Sequence, residues 1–274
     1  MIEATLYTDA ACPWAYSANP ALRVLEWRYR DQLRWRLVMI GLREDASALI
    51  ARGYDPARAV LGHHTFRERY GMPFGLVPKE RAAGTARGCR AVVAVRLLLR
   101  SVPGIDADAL VANLDSPEVA EAYELDKAET RTAAGTAAEA QGKTSTSDGP
   151  VRFTAPSIVF ELEGRRLVAG GWQPALTYDA LIANLDPTVE RAPSPVTPEP
   201  LLEYFDDGLT TAEVAALLAD GPDPIPDLKG AERMLLEVVA QGDALRSPLG
   251  QDAVWRRASP REGEARSELA EALA

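Results

Sequence analysis

Two cysteines, two histidines and four lysines are all that this 274-residue chain holds of those residue types. Two cysteines are too few for a disulfide framework, and no metal site is expected. Positive charge is short as well. The formal net charge is −10, which argues against general affinity for nucleic acid or anionic membranes. Arginine outnumbers lysine 26 to 4, a bias that reads as coding preference and not as a binding signal. Long apolar runs are missing too. The longest, "AVVAVRLLL" (Ala91 to Leu99), is interrupted by Arg96 and is too short to span a bilayer. The opening "MIEATLYTDA" has neither a basic stretch nor an apolar leader segment. A soluble protein of the reducing cytoplasm is expected, without standing disulfides and without a membrane partner. In that setting a reactive thiol is the more informative use of a cysteine.

The apolar fraction, 47%, is ample for a core. "IEATLYT" alternates apolar and polar residues and reads as a strand. The stretch "AACPWAYSANPALRVLEWRYRD" follows as a helix, with Pro13 in its first turn and Leu22, Leu25 and Tyr29 at helical spacing. "LRWRLVMIGL" reads as a second strand. From about 56 to 142 the pattern is helical: "PARAVLGHHTFRERYG", "PKERAAGTARGCRAVVAVRLLLRS", "IDADALVANLD", and one long helix from Ser116 as cap to Gly142 as stop. "KTSTSDG" is a polar loop. "PSIVFELEGRRLVAGGW" is a hairpin turning at Glu163-Gly164, and "QPALTYDALIANLD" is a closing helix. Asp186 to Pro200 then carries five prolines in 15 residues and reads as an extended connector.

Cys12-Pro13-Trp14 lies at the end of the first strand, and Thr154-Ala155-Pro156 stands before the hairpin. With the β-α-β opening and the helical block, these residues resemble the DsbA family in its cytoplasmic branch. That branch is similar to 2-hydroxychromene-2-carboxylate isomerases and kappa-class glutathione transferases. The resemblance covers about residues 1–190. It implies an α/β thioredoxin fold with a helical insertion at about 56–142, a cis Pro156, and thiol-disulfide exchange. Under it Cys12 is the catalytic nucleophile, while Pro13, Trp14, Ala155 and Pro156 form the substrate-binding surface. The departure lies at the fourth motif position. Redox members carry Cys-Pro-Trp-Cys, whereas here Ala15 follows Trp14 and Tyr16 is retained. The isomerases and kappa-class transferases place a serine where Cys12 stands.

Cys12 has a physical case of its own. N–H groups at a helix start favour a thiolate, so its pKa is expected to be depressed. A thiolate there suits mixed-disulfide formation. Without a resolving thiol at position 15, a second thiol from solution must release the product. The plain alternative is a relic site in which Cys12 is a small packing residue. Cys89, inside a helix, reads as a buried core thiol. His63 precedes "TFRERYGMPFG", where Met72 and Phe74 are read either as a pocket wall or as packing; a solvent-facing His63-His64 pair is the alternative to an acid–base role. Arg23, Arg28, Arg30, Arg34 and Arg36 read as a solvated face, with a carboxylate of a thiol cofactor as the other option.

The C-terminal pattern changes. Thr210 with Glu213 three residues later makes a capping box. A helix in "KGAERMLLEVVAQG" and a hairpin around Leu249-Gly250 follow. This stretch resembles a winged helix-turn-helix domain. The expected division is therefore 1–190, a proline-rich linker at 191–200, a small α+β domain at 201–258 and a frayed tail at 259–274. Residues 194–274 hold 7 basic and 16 acidic groups, so nucleic acid is not expected as a partner, and a protein-docking or substrate-covering module is. Three functions stay open: a single-cysteine thiol-disulfide oxidoreductase; an isomerase or transferase using a glutathione- or mycothiol-type cofactor, none being tightly bound; and a redox-inactive binding protein.

Overall fold

The computed structural model describes residues 1–98, 107–221 and 224–259. They form two compact units. The first holds Met1–Ala18, Arg30–Ala59 and Pro78–Val189. The second holds Asn19–Tyr29, Val60–Val77 and the chain from Glu190.

In chain order, β1 (Ile2–Thr8) leads through Cys12 into the short helix α1 (Pro13–Tyr16). The single helix expected here is two. The second piece, α2 (Asn19–Tyr29), starts after a break at Ser17-Ala18, because Pro20 has no N–H with which to extend the ladder. Next come β2 (Leu33–Met39), α3 (Ser47–Ala51), α4 (Pro56–Tyr70), α5 (Ala86–Leu98), α6 (Ala107–Asn113), α7 (Pro117–Thr130) and α8 (Ala137–Ala140). Two-residue strands β3 (Thr144–Ser145) and β4 (Arg152–Phe153) precede β5 (Ser157–Leu162), β6 (Arg165–Ala169) and α9 (Ala175–Leu185). The main sheet runs β2-β1-β5-β6. β1 pairs with β2 in parallel and with β5 antiparallel, and β5 pairs with β6 antiparallel. This is the strand order of a thioredoxin-like α/β fold, with a helical block between β2 and β5. As a central strand β1 is covered on both faces, so Thr5 and Tyr7 are buried with Ile2, Ala4 and Leu6 despite the alternating sequence. The hairpin turns on Glu163 (φ 51°) and Gly164 (φ 79°), the two left-handed positions of a type I′ turn.

Three expected elements differ in extent. The helix read from Pro78 begins at Ala86. The backbone N–H groups of Thr85 and Ala86 both donate to the Arg43 carbonyl, at 2.8 and 3.1 Å. A Cβ on Gly84 would stand 2.6 Å from the Asp45 backbone, so the chain must run flat against the segment after β2 there. The helix read from 116 to 142 stops at Thr130, where the chain leaves to pair Ala133 N–H with the Val151 carbonyl at 3.2 Å. It turns through Gly135 (φ 75°) before α8. The polar loop at 143–149 contains β3, paired with β4.

The second unit adds α10 (Glu199–Tyr204), β7 (Leu209–Thr210), α11 (Thr211–Leu218), α12 (Leu228–Ala240), β8 (Ala244–Leu249) and β9 (Asp252–Arg257). Its sheet runs β7-β9-β8. Thr210 and Glu213 form the reciprocal capping box of α11. Trp255 is fully buried, and its indole donates to Thr211 Oγ1 at 2.9 Å. The proline-rich segment is tied down at its start: Ala192 N–H donates to the Arg28 carbonyl at 2.8 Å, and the Trp27 indole to the Pro193 carbonyl at 2.8 Å. Arg23 of α2 pairs with Glu26, Asp207 and Glu213. The tail from residue 260 lies outside the described residues.

Candidate active site

The turn Asp9-Ala10-Ala11-Cys12 links β1 to α1 at the end of the parallel pair, the edge where open α/β sheets place their chemistry. Cys12 N–H donates to the Asp9 carbonyl at 3.2 Å, which closes the turn. Cys12 is the N-cap of α1, with Pro13 at the first helical position. Its thiol is buried and donates to the Ala155 carbonyl at 3.5 Å. The Ala155–Pro156 peptide bond is cis. Cys12, Ala15 and Ala155 share one buried cluster, with Leu42 packed against it. Trp14, next in the chain, is 44% exposed and gives the site an aromatic surface.

The loop before β5 is held independently of the cysteine. Ser157 Oγ donates to the Thr154 carbonyl at 2.6 Å and accepts Gly171 N–H at 3.0 Å. Thr154 Oγ1 donates to the Lys143 carbonyl at 2.9 Å. The Trp172 indole donates to the Ser17 carbonyl at 3.2 Å, fixing the end of α1. The carbonyl facing the sulfur therefore belongs to a braced turn.

The electrostatics correct one expectation. The Cys12 thiol is held above its ordinary value, not below it. Burial is the largest cause; the Ala15 and Trp14 N–H groups and the Arg43 charge pull the other way, while Asp9 adds to the rise. A four-residue helix offers its N–H groups but little cumulative dipole, so desolvation wins. Cys89 is fully buried and pushed up to about 12, by burial first and then by Asp9.

Asp9 was not singled out from the sequence. It is 3% exposed, and four donors converge on it. Oδ1 accepts Ala11 N–H at 3.0 Å. Oδ2 accepts Leu42 N–H at 2.8 Å, Thr85 Oγ1 at 2.8 Å and Cys89 Sγ at 3.4 Å. All four contacts donate, a full set for an acceptor-only carboxylate. It clamps the cysteine turn to the segment after β2 and to the start of α5. The sequence signal was faint: an aspartate three residues before a cysteine reads as an ordinary turn former.

His63, Met72 and Phe74 lie in the second unit. His63 Nδ1 is 3.4 Å from the Gly75 carbonyl, and its ring is 5.4 Å from that of Phe74. Met72 is 1% exposed and accepts from Thr210 Oγ1 at 3.5 Å. These contacts fit packing. Three of these arginines are engaged with neighbouring carboxylates: Arg34 with Glu3, Arg36 with Glu129, and Arg23 as above. Among the described residues, no group of three or more His, Cys, Asp or Glu side chains could hold a metal, and no helix is long and apolar enough to cross a membrane.

No known family profile matches this chain, and no curated protein matches it. Among solved structures it is similar to a cytosolic disulfide reductase, DsbM, from Pseudomonas aeruginosa, at 16% identity and TM-score 0.42, over 66% of this chain and 99% of that one. The same protein has been solved with GSH. A probable DsbA oxidoreductase from Streptomyces coelicolor matches at 17% identity and TM-score 0.44, over 83% of this chain and 100% of that one. A 2-hydroxychromene-2-carboxylate isomerase matches at 17% identity and TM-score 0.36, over 67% and 95%.

Proposed function

We propose that this protein is a thiol-disulfide exchange protein of the DsbA type that works through one cysteine, Cys12. The observation that carries the reading is the Cys12 thiol facing the Ala155 carbonyl at 3.5 Å, beside the cis Pro156 and at the exit of β1. A thiol in that place meets a disulfide laid along the 155–156 edge. In the first step Cys12 loses its proton to solvent and its sulfur attacks R–S–S–R. One S–S bond breaks, Cys12–S–S–R forms, and RS⁻ leaves to take up a proton. In the second step a low-molecular-weight thiol from solution attacks the mixed disulfide and regenerates Cys12. That thiol replaces the resolving cysteine which Ala15 does not supply. Burial holds Cys12 as a thiol at rest, so an arriving disulfide that brings the sulfur into a more polar contact favours the first step. The test is intact mass after purification without reductant and after incubation with oxidised glutathione. An adduct mapped to Cys12 supports the reading; an adduct on Cys89 alone, or on neither, ends it.

The chain from 201 to 258 is read as a winged-helix-like module that docks protein. The helix, strand, two helices and hairpin in that order support it, with the three-stranded sheet β7-β9-β8. Its charge opposes DNA: residues 194–274 carry 7 basic and 16 acidic groups. Gel retardation of duplex DNA by the full chain at low salt is the check, and none is expected.

A further inference from the structure

β2 is an edge strand, since the main sheet runs β2-β1-β5-β6. Ile40 N–H, just past its end, donates to the Thr8 carbonyl at 2.8 Å. The even-numbered residues of β2 therefore turn their backbone groups to β1, and the odd-numbered ones turn theirs outward. An open edge is a template for another strand, and proteins usually cover it. Here the covering stops halfway. Met39 N–H donates to Asp126 Oδ2 at 2.9 Å, and the Leu37 carbonyl accepts Arg96 Nη1 at 2.8 Å. Arg96 and Asp126 are themselves paired through both oxygens, at 2.9 and 3.0 Å. Before them, the N–H of Leu37, both groups of Trp35 and the carbonyl of Leu33 point outward and meet no partner among the described residues. Arg34 and Arg36 beside them are exposed, and Leu37 is 41% exposed.

The uncovered stretch is Leu33-Arg34-Trp35-Arg36-Leu37, which reads the same in both directions. A strand that pairs antiparallel with a copy of itself does so about a two-fold axis. With Trp35 on that axis, Trp35 N–H meets the partner's Trp35 carbonyl, and Leu37 N–H meets the partner's Leu33 carbonyl, each twice by symmetry. These are the free groups of the edge. A register moved toward Met39 runs into the N–H that Asp126 holds, and one moved the other way runs into the turn at Arg30–Gln32. On one face the pairing sets Trp35 against Trp35 and Leu37 against Leu33, apolar cross-strand pairs that favour it. On the other face Arg34 stands opposite Arg36. Like charges there oppose pairing, but Arg34 comes paired with Glu3 and Arg36 with Glu129 in each copy.

We propose that the β2 edge is a self-association surface whose occupant is a second copy of this chain. The two copies pair antiparallel through Leu33–Leu37 about an axis at Trp35, and their sheets join into one. Arg96 and Asp126 set the limit of the contact by closing the edge beyond Leu37. The inference is independent of the chemistry of Cys12 and stands or falls apart from it.

The test is sedimentation velocity of the full chain over a range of concentrations. A monomer–dimer equilibrium is expected, with nothing larger, because the paired edge is used up. Leu37→Pro removes an outward N–H at an edge position, where proline leaves the pairing with β1 intact. It deletes two hydrogen bonds of the dimer and should raise the dissociation constant about tenfold or more. A crosslink reads the register without relying on that variant. Across the axis 34 and 36 form a non-hydrogen-bonded pair, with Cα atoms about 4.5 Å apart, within the span of a disulfide. An oxidised mixture of Arg34→Cys and Arg36→Cys chains should give a dimer linked from 34 to 36, located by peptide mapping, which neither variant gives alone. A monomer at every concentration, a ladder of species beyond the dimer, a dimer whose dissociation constant Leu37→Pro leaves unchanged, or equal crosslinking by the single variants would each overturn the pairing.

Discussion

Cys12 and Cys89 both feel the Asp9 carboxylate, which raises each thiol, and differ in almost everything else. Cys12 is at the end of a strand, its backbone N–H bonded to the Asp9 carbonyl and its sulfur facing the Ala155 carbonyl. Cys89 lies within α5, and its thiol is spent on Asp9 Oδ2 at 3.4 Å. Burial raises both pKa values. Against that rise Cys12 has the N–H groups of Trp14 and Ala15 at a helix start together with Arg43, whereas Cys89 has the N–H groups of Ala10 and Gly41, which lie in loops. Burial alone does not separate a candidate nucleophile from a core thiol. The backbone that faces the sulfur does.

The widest gap between the two should appear in covalent chemistry. Cys12→Ala should abolish the adduct formed with oxidised glutathione, and Cys89→Ala should leave it intact, read by peptide mapping. If Cys89→Ala removes the adduct as well, the thiols act as a pair and the contrast drawn here is wrong. The next effect concerns position 15. Ala15 shares the buried cluster with Cys12, so Ala15→Cys places a second sulfur within that cluster. An internal resolving thiol replaces a bimolecular release, so insulin reduction should rise by about tenfold or more. An unmodified protein that is already as active would mean that another thiol resolves the intermediate.

Most of the strand framework was legible in the sequence, because it is local. The turn pair Glu163-Gly164 and the capping box Thr210/Glu213 are spelled out over two to four residues. The candidate site was half legible. Cys12, Pro13 and Trp14 are contiguous, and Ala155-Pro156 came with the resemblance. Asp9 and Arg43 were invisible, since their roles depend on Leu42, Thr85 and Cys89 arriving from distant parts of the chain. The depressed thiol expected for Cys12 failed for the same reason. A helix start is visible in sequence; the burial that outweighs it is not. The first turn of "PKERAAGTARG" was misread because the hydrogen bonds of Thr85 and Ala86 go to Arg43 and not into a helix.

A smaller effect lies in the pH dependence of alkylation. Both thiols should label with midpoints above their ordinary value, Cys89 near 12. Asp9 contributes to the rise at Cys12. Asp9→Asn removes a negative charge that opposes thiolate formation, so the Cys12 midpoint should fall and its labelling at pH 7 should quicken. A midpoint that stays put while rates rise at every pH would mean only looser packing. Iodoacetamide labelling from pH 6 to pH 11, resolved by peptide, reads both sites in one experiment. A common midpoint for the two thiols would erase the distinction between them.

The smallest effect is on stability, at Cys89. The side chain is fully buried, and Cys89→Ala leaves a small void and takes one of four donors from Asp9. At pH 7 a loss of about 1 kcal/mol is expected. The sign of its pH dependence follows from the raised pKa. The unfolded thiol ionises near 9.0 and the folded one near 12. The stability that Cys89 contributes is therefore complete below about pH 9 and is lost as pH rises toward 12. The gap between wild type and Cys89→Ala should narrow between pH 7 and pH 10.5 in urea denaturation. Cys12→Ala should narrow in the same direction, because burial raises its thiol as well, against the opposing N–H groups of α1. If the gap for either variant widens with pH instead, burial does not hold that thiol above its ordinary value, and the comparison of the two sites loses its basis.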